Sequence, residues 1–206
     1  SEVVWMSQAH WDSVYAADNL DELGWYEPRA STLGLVTAYS TPADPLIDVG
    51  GGASPLTLEL ARLGYRDLTV LDISERALRA SRNAMCVHVE VVSWIRADVT
   101  RFRPERRWRL WHDRAVFHFL IEQDDREAYR SVAASALEPG GILIVATFAP
   151  EGPDRCAGLE VRRYAVASLA AEFAPDFDLI EGRRLIPVAQ AGDRRPYIGV
   201  VLRRTG

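Results

Sequence analysis

Lysine is missing from this chain: all 24 basic residues are arginine. No Schiff-base lysine, pyridoxal phosphate anchor or P-loop lysine is therefore available, and those enzyme classes drop out. Cysteine is scarce. Cys86 and Cys156 stand apart in sequence and build neither a disulfide framework nor a metal cluster, so no metal is expected. Long apolar runs are also lacking. "GILIVATFA" at 141–149 is far too short to span a bilayer. No charged-then-apolar leader opens the chain, which makes the cytoplasm the expected compartment. A net charge of −5 argues against broad phosphate-driven nucleic-acid binding. The arginine cluster "RFRPERRWR" at 101–109 is the local exception and reads as a solvated face.

What is present is the make-up of a globular α/β protein. With 206 residues, 48% of them hydrophobic and 26% charged, the chain can bury one sizeable core. "SQAHWDSVYAA" sets Trp11 and Tyr15 four apart on one helical face, and "EPRASTLGLVTAY" predicts a second helix with Pro28 near its start. From residue 45 strands and helices alternate. "PLIDVG", "DLTVLDIS", "VEVVSWIRADV", "RWRLWHDR" and "ILIVATF" are the strands, and "EPGG" closes the helix before the fifth. Strands joined by helical crossovers build a parallel sheet covered on both faces. "FDLIEGRRLI" and "RPYIGVVLRR" have no helix between them and pair antiparallel through "PVAQAGD". The expected organisation is a single domain, residues 1–206, with a helical cap over 1–42 and a Rossmann-like core over 43–206.

The stretch "LIDVGGGASPL" at 46–56 carries the strongest functional signal. Ligands of doubly wound sheets bind beyond the carboxyl ends of the strands, and Gly50–Gly52 fall there after the first strand. Glycine allows a sharp turn and a close-lying ligand. A dinucleotide fingerprint would need G-x-G-x-x-G, yet the third glycine is replaced by Pro55. Asp48 would also face a doubly negative pyrophosphate, whereas a cationic amino-acid end suits it. Asp72 ends the second strand, where a carboxylate can accept both ribose hydroxyls. Asp98 ends the third and can accept from an adenine amino group, with Ile73 and Val99 placed to sandwich the ring. Carboxylates in register after three strands describe an adenosine with an amino-acid tail.

"LIDVGGGAS", "VLDIS" and "RADV" resemble the successive cofactor motifs of class I S-adenosylmethionine-dependent methyltransferases. The resemblance covers most of the chain. "HWDSVYAADNLDELGWYEP" is similar to the opening of a small branch near lysine methyltransferase-like and thiopurine or tellurite methyltransferase-like proteins. "WHDRAVFHFL" and "LEPGGILIVATF" resemble its fourth-strand motif and fifth-strand entry. One departure is Ser54, where many members have a glycine. The implied fold is α/β: a Rossmann-like, seven-stranded, mostly parallel sheet of order 3-2-1-4-5-7-6, with strand seven antiparallel. The implied cofactor is S-adenosyl-L-methionine, with S-adenosyl-L-homocysteine as product. Gly50, Gly51 and Gly52, with Ala53, would contact its methionine part, and Asp48 would orient the loop or the amino group through water. Asp72 would hold the ribose, and Asp98 with Val99 the adenine, with Ile73 on the ring's other face. Trp11, Tyr15 and Trp25 would close over the sulfonium, and Asp113, with the backbone of His112, would sit near the transferable methyl.

Methyl transfer from a sulfonium is an in-line displacement to an O, N or S nucleophile, and a general base is needed only for a protonated acceptor. His112 and Asp113 are the catalytic candidates, although neighbours on a strand point to opposite faces. His118, one turn later, and Cys156, Arg163 and Tyr164 in the long loop "APEGPDRCAGLEVRRY" are candidate substrate contacts. Strand four has no Asn/Asp-Pro-Pro-aromatic motif, which disfavours nucleic acid. A small-molecule acceptor is expected, with no membrane partner and the oligomeric state open. The alternatives are a protein lysine-type methyltransferase, an NAD-dependent oxidoreductase and a non-catalytic cofactor-binding protein.

Overall fold

The computed structural model describes residues 7–16, 23, 26–186 and 195–206, with the backbone alone at 86 and 87. Its centre is a seven-stranded sheet built from β1 (Leu46–Val49), β2 (Leu68–Asp72), β3 (Val92–Arg96), β4 (Trp108–Arg114), β5 (Leu137–Phe148), β8 (Phe177–Leu185) and β9 (Tyr197–Arg204). The order is β3-β2-β1-β4-β5-β9-β8. Two-residue strands β6 (Arg155–Cys156) and β7 (Leu159–Glu160) form a separate ribbon. Counting sheet strands alone, this is the predicted 3-2-1-4-5-7-6. The first five strands run parallel, and β9 is antiparallel to both β5 and β8. Every residue of β1 and β2 is buried, as both faces of a covered parallel sheet require.

The covering helices bury one stripe each. α3 (Leu56–Arg62) turns Leu56, Leu60 and Ala61 to the core, and α4 (Glu75–Met85) turns in Ala77, Leu78, Ser81 and Met85. α5 (Gln123–Ala136) contributes Tyr129, Ala133 and Ala136, and α6 (Val166–Phe173) Leu169 and Phe173. Gly64, at φ +90°, ends the chain's run through α3. Among the described residues no helix is long and apolar enough to cross a membrane.

Three local expectations are corrected. The second helix, α2, spans only Leu33–Ala38 rather than starting near Pro28. Carboxylates compete for the backbone before it: the Ala30 amide donates to Glu59 and the Ser31 amide to Glu27, so 28–32 turn instead of coiling. The third strand is shortened by a 3-10 turn over Cys86–Val91. "EPGG" is not a break before β5 but an irregularity inside it. Leu137 already pairs with Trp108, and the register then shifts before Leu110 meets Ile142, with Gly140 at φ +71°. The "PVAQAGD" connection lies outside the described residues.

Before the sheet, α1 (Gln8–Val14) is tied down by Asp12, whose carboxylate accepts from Ser74 Oγ at 2.7 Å and from the Arg76 amide at 3.3 Å. That contact lays α1 over the carboxyl end of β2.

Candidate active site

Beyond the carboxyl ends of β1 to β4 lies a cleft of about 1010 Å³, its open mouth included. Gly50 and Ala53 line it from the turn after β1, Asp72 and Ile73 from the end of β2, and Asp98 and Val99 from just past β3. Trp11 and Tyr15 reach it from α1 and its C-cap. The parallel strands end level with one another, so residues 24 and 50 positions from Asp48 arrive at one cleft. Trp25 lies outside the described residues.

The loop carboxylates are pre-positioned. Asp72 accepts from the Gly52 amide at 3.1 Å and the Ser74 amide at 2.9 Å. Burial, with nearby Asp48 adding to it, pushes its carboxyl up to about 6. Asp98 caps its own turn, accepting from the Thr100 amide and hydroxyl at 2.9 and 2.8 Å.

The three glycines answer first to the protein. A Cβ on Gly50, which holds φ +67°, would collide with Val116, and one on Gly51 with the Asp48 carboxylate. One on Gly52 would strike Ala77 and come within 2.8 Å of Asp72 Oδ2. Gly50 does line the cleft, while the Cα atoms of Gly51 and Gly52 turn toward these neighbours. Gly52→Ala is expected to destabilise the fold by about 1–3 kcal/mol, since Ala77 sits on a packed helix and cannot retreat. Thermal melting checks this, and an unchanged melting temperature would refute the close-packing account.

His112 and Asp113 part company. His112 stands opposite Asp48 in the β1–β4 register, and its Nδ1 lies 2.7 Å from Asp48 Oδ1. Its Nε2 lies 2.8 Å from Thr32 Oγ1, and Thr57 Oγ1 donates to the other Asp48 oxygen at 3.2 Å. These partners assign Nδ1–H as donor to the carboxylate and Nε2 as acceptor from Thr32. His112 touches the cleft with both nitrogens already engaged. Asp48 likewise spends its oxygens on His112 and Thr57 rather than presenting them freely to an amino group.

Asp113 departs from the expected place beside the transferable methyl, because adjacent strand residues face opposite ways. It is wholly buried and outside the cleft lining, accepting from the Val116 and Phe117 amides at 2.8 and 3.0 Å and from Tyr129 Oη at 2.6 Å. Burial raises its carboxyl to about 6 against those donors.

Of the substrate candidates, only Cys156 lines the cleft, its thiol pushed up to about 11 by burial and so kept protonated. His118 is buried between Phe119 and Phe148, with ring centroids 4.5 and 4.8 Å away, and burial pushes it down to about 3. Arg163 is exposed and donates to the Gly152 carbonyl at 3.2 Å. Tyr164 is buried against Glu172 and Arg162. None of these three lines the cleft.

Two residues that sequence reasoning missed form the wall opposite the loop. Arg114 Nη2 pairs with Glu27 Oε1 at 2.8 Å, and both line the cleft. Glu27 also accepts from the Ser31 amide and hydroxyl at 3.1 and 3.0 Å. Arg114 was within reach of period-two alternation, since it shares a strand face with His112. Glu27 carried no sequence signal.

A sheet of this order, with a glycine turn after β1 and carboxylates at the ends of β2 and β3, has the architecture of Rossmann-like class I S-adenosylmethionine-dependent methyltransferase domains. Residues 46–141 match the family described as Methyltransf_25, a methyltransferase domain. The human "eEF1A lysine and N-terminal methyltransferase" is 21% identical over 137 residues, 66% of this chain and 20% of that protein. The "Ribosomal protein L11 methyltransferase" of Pelotomaculum thermopropionicum is 32% identical over 152 residues, 71% of this chain and 45% of that protein. The chain thus spans about a fifth to under half of these curated relatives. The crystal structure of Burkholderia thailandensis 1,6-didemethyltoxoflavin-N1-methyltransferase, with bound 1,6-didemethyltoxoflavin and S-adenosylhomocysteine, superposes with a TM-score of 0.75. It is 19% identical and covers 98% of this chain and 89% of its own, a likeness of fold.

Proposed function

We propose that this domain transfers the methyl group of S-adenosylmethionine to a nucleophilic atom of a small-molecule acceptor. The carrying observation is the single cleft with two chemically distinct ends: carboxylates and apolar side chains under β1–β3, and the Arg114–Glu27 wall with Cys156 beyond β4. The residues present fit the cofactor. Asp72 would accept the ribose hydroxyls, Asp98 would lie at the adenine amino group, and Ile73 and Val99 would pack the ring faces. Gly50 and Ala53 would bring backbone against the amino-acid part, and the aromatic faces of Trp11 and Tyr15 suit a sulfonium. Asp113 acts through Tyr129 and the turn at 116–117, shaping the end of β4 rather than touching substrate.

When bound, S-adenosylmethionine supplies an activated methyl carbon and a good leaving group. The chain's own work is to align the acceptor opposite that carbon and exclude water. Glu27 is committed to Arg114 and Ser31, and His112 to Asp48 and Thr32, so neither takes a proton from the acceptor. An acceptor that arrives as a neutral amine, thiolate or other ready nucleophile suits this site.

A protein side-chain acceptor is the second reading, favoured by the names of the curated relatives. Incubation with methyl-labelled cofactor separates the two. Label in small molecules of an extract supports the first reading, and label in protein supports the second. Cofactor affinity should also depend on pH. Asp72 accepts from both ribose hydroxyls with full strength only as carboxylate, and its empty-site value is raised to about 6. The dissociation constant of S-adenosylhomocysteine should therefore be flat above pH 7 and rise below pH 6 by about tenfold in all. Calorimetric titration between pH 5 and 8 tests it, and a flat profile would remove Asp72 from the ribose.

A further inference from the structure

A short helix crosses the cleft from one rim to the other. α1 (Gln8–Val14) carries Trp11 and Asp12 side by side, and the helical turn of about 100° per residue sends them to different sides. Trp11 packs edge-on against Phe119, just past β4, with ring centroids 5.0 Å apart. Asp12 reaches the loop after β2, where its carboxylate accepts from Ser74 Oγ at 2.7 Å and from the Arg76 amide at 3.3 Å. β1 lies between β2 and β4 in the sheet, so α1 spans the strand that carries the glycine turn. Trp11, Tyr15 and Phe119 line the cleft under this span, whereas Asp12 does not.

The Asp12 end is built as a fastening. Ser74 Oγ accepts from the Ala77 amide at 3.1 Å while it donates to Asp12, so one hydroxyl caps α4 and holds α1. The Asp12 carboxylate therefore sits at the first turn of an eleven-residue helix, where unsatisfied amides and the positive dipole end favour negative charge. Burial pushes its carboxyl up, yet the bonds from Ser74, Gln8 and the Arg76 amide outweigh that and leave it below the usual carboxylate range. The amide of the same Ser74 donates to Asp72 at 2.9 Å, which joins the fastening to the carboxylate placed for the ribose. α1 buries none of its residues completely, so its hold on the domain leans on contacts of this kind.

We propose that α1 is a strap that lifts to admit and release the cofactor, and that Asp12 is the positioning residue that latches it. The inference goes beyond the acceptor question and rests on S-adenosylmethionine occupying this cleft. Asp12 acts through Trp11 and Tyr15, which it holds over the bound ligand. Latched, the strap keeps the cofactor in place and water out during transfer. Released, it opens the way for S-adenosylhomocysteine to leave.

The test follows S-adenosylhomocysteine binding to the full chain by surface plasmon resonance at neutral pH, for the wild type, Asp12→Ala and Asp12→Asn. Asp12→Ala should speed dissociation about tenfold, as loss of charge-assisted bonds implies, with association unchanged or faster. Asp12→Asn keeps an oxygen for the Ser74 hydroxyl and should stay within about threefold of the wild type. Without ligand, Asp12→Ala should melt within about 2 °C of the wild type, since α1 completes no part of the core. In the S-adenosylhomocysteine complex of Asp12→Ala, amide hydrogen exchange should quicken at residues 11–15 and not in β1 or β4. Dissociation within about twofold of the wild type for Asp12→Ala, equal acceleration by both variants, a larger fall in melting temperature, or faster exchange spread through the sheet would each overturn the proposal. Failure of the wild type to bind S-adenosylhomocysteine would instead remove the cofactor reading on which it rests.

Discussion

Asp72→Ala is expected to weaken S-adenosylhomocysteine binding by about a hundredfold, close to 2.7 kcal/mol. The carboxylate is held at the end of β2 by the Gly52 and Ser74 amides, and the residue lines the cleft. Two hydroxyl donors to a buried carboxylate are worth about 1.5–3 kcal/mol each before the variant's own relaxation is counted. Asp72→Asn keeps one acceptor oxygen without the charge and should fall between, near a tenfold loss. Both variants should also lose the pH dependence of binding below pH 6. Calorimetry on the purified variants decides the matter. Affinity within about threefold of wild type for Asp72→Ala would mean that the ribose is held elsewhere.

His112→Ala is expected to be the most destabilising single change at the site. Its ring joins Asp48 on β1 to Thr32 before α2, so one side chain ties the cap segment to the central strands. The side chains of His112 and Asp48 are only 3% and 7% exposed. Removing the imidazole leaves Asp48 with Thr57 alone and leaves the Thr32 hydroxyl without its ring partner. Breaking a buried pair in this way costs about 3–5 kcal/mol, which corresponds to a fall of roughly 6–20 °C in melting temperature for a chain of this size. If the melting temperature moved by less than about 2 °C while methyl transfer collapsed, His112 would be a chemical group and not a structural one.

These two residues show how unevenly the site was legible. Asp72, Asp98 and Gly50 were readable because a parallel sheet puts every strand's carboxyl end at one edge. Position after an apolar run therefore translates directly into position in space. His112 was readable as a site-edge residue but not as a member of the Asp48–Thr32 chain, since that chain joins residues 64 and 80 positions away. Asp113 was misplaced for the opposite reason: proximity to His112 in sequence is separation across a strand. The glycines were read as room for a ligand, while the close approaches the structure displays at Gly51 and Gly52 are to protein neighbours. The neighbours that demand Gly51 and Gly52 are Asp48, Asp72 and Ala77, which the linear order could not display.

The sequence by itself determined the alternation of elements, the covered parallel sheet with its antiparallel end and the edge of that sheet where a cofactor belongs. These follow from hydrophobic period, turn residues and chain direction, which are local properties. Only the tertiary structure decided the far wall of the cleft and what packs behind it. Glu27 precedes the sheet, Arg114 ends β4, Cys156 sits in the ribbon after β5, and Tyr197 opens the penultimate strand position of the sheet. No spacing rule links those four residues. Their meeting depends on β9 inserting between β5 and β8 and on the cap folding back over β4. Packing of the whole chain sets that arrangement, and it places the Arg114 guanidinium above the Tyr197 ring.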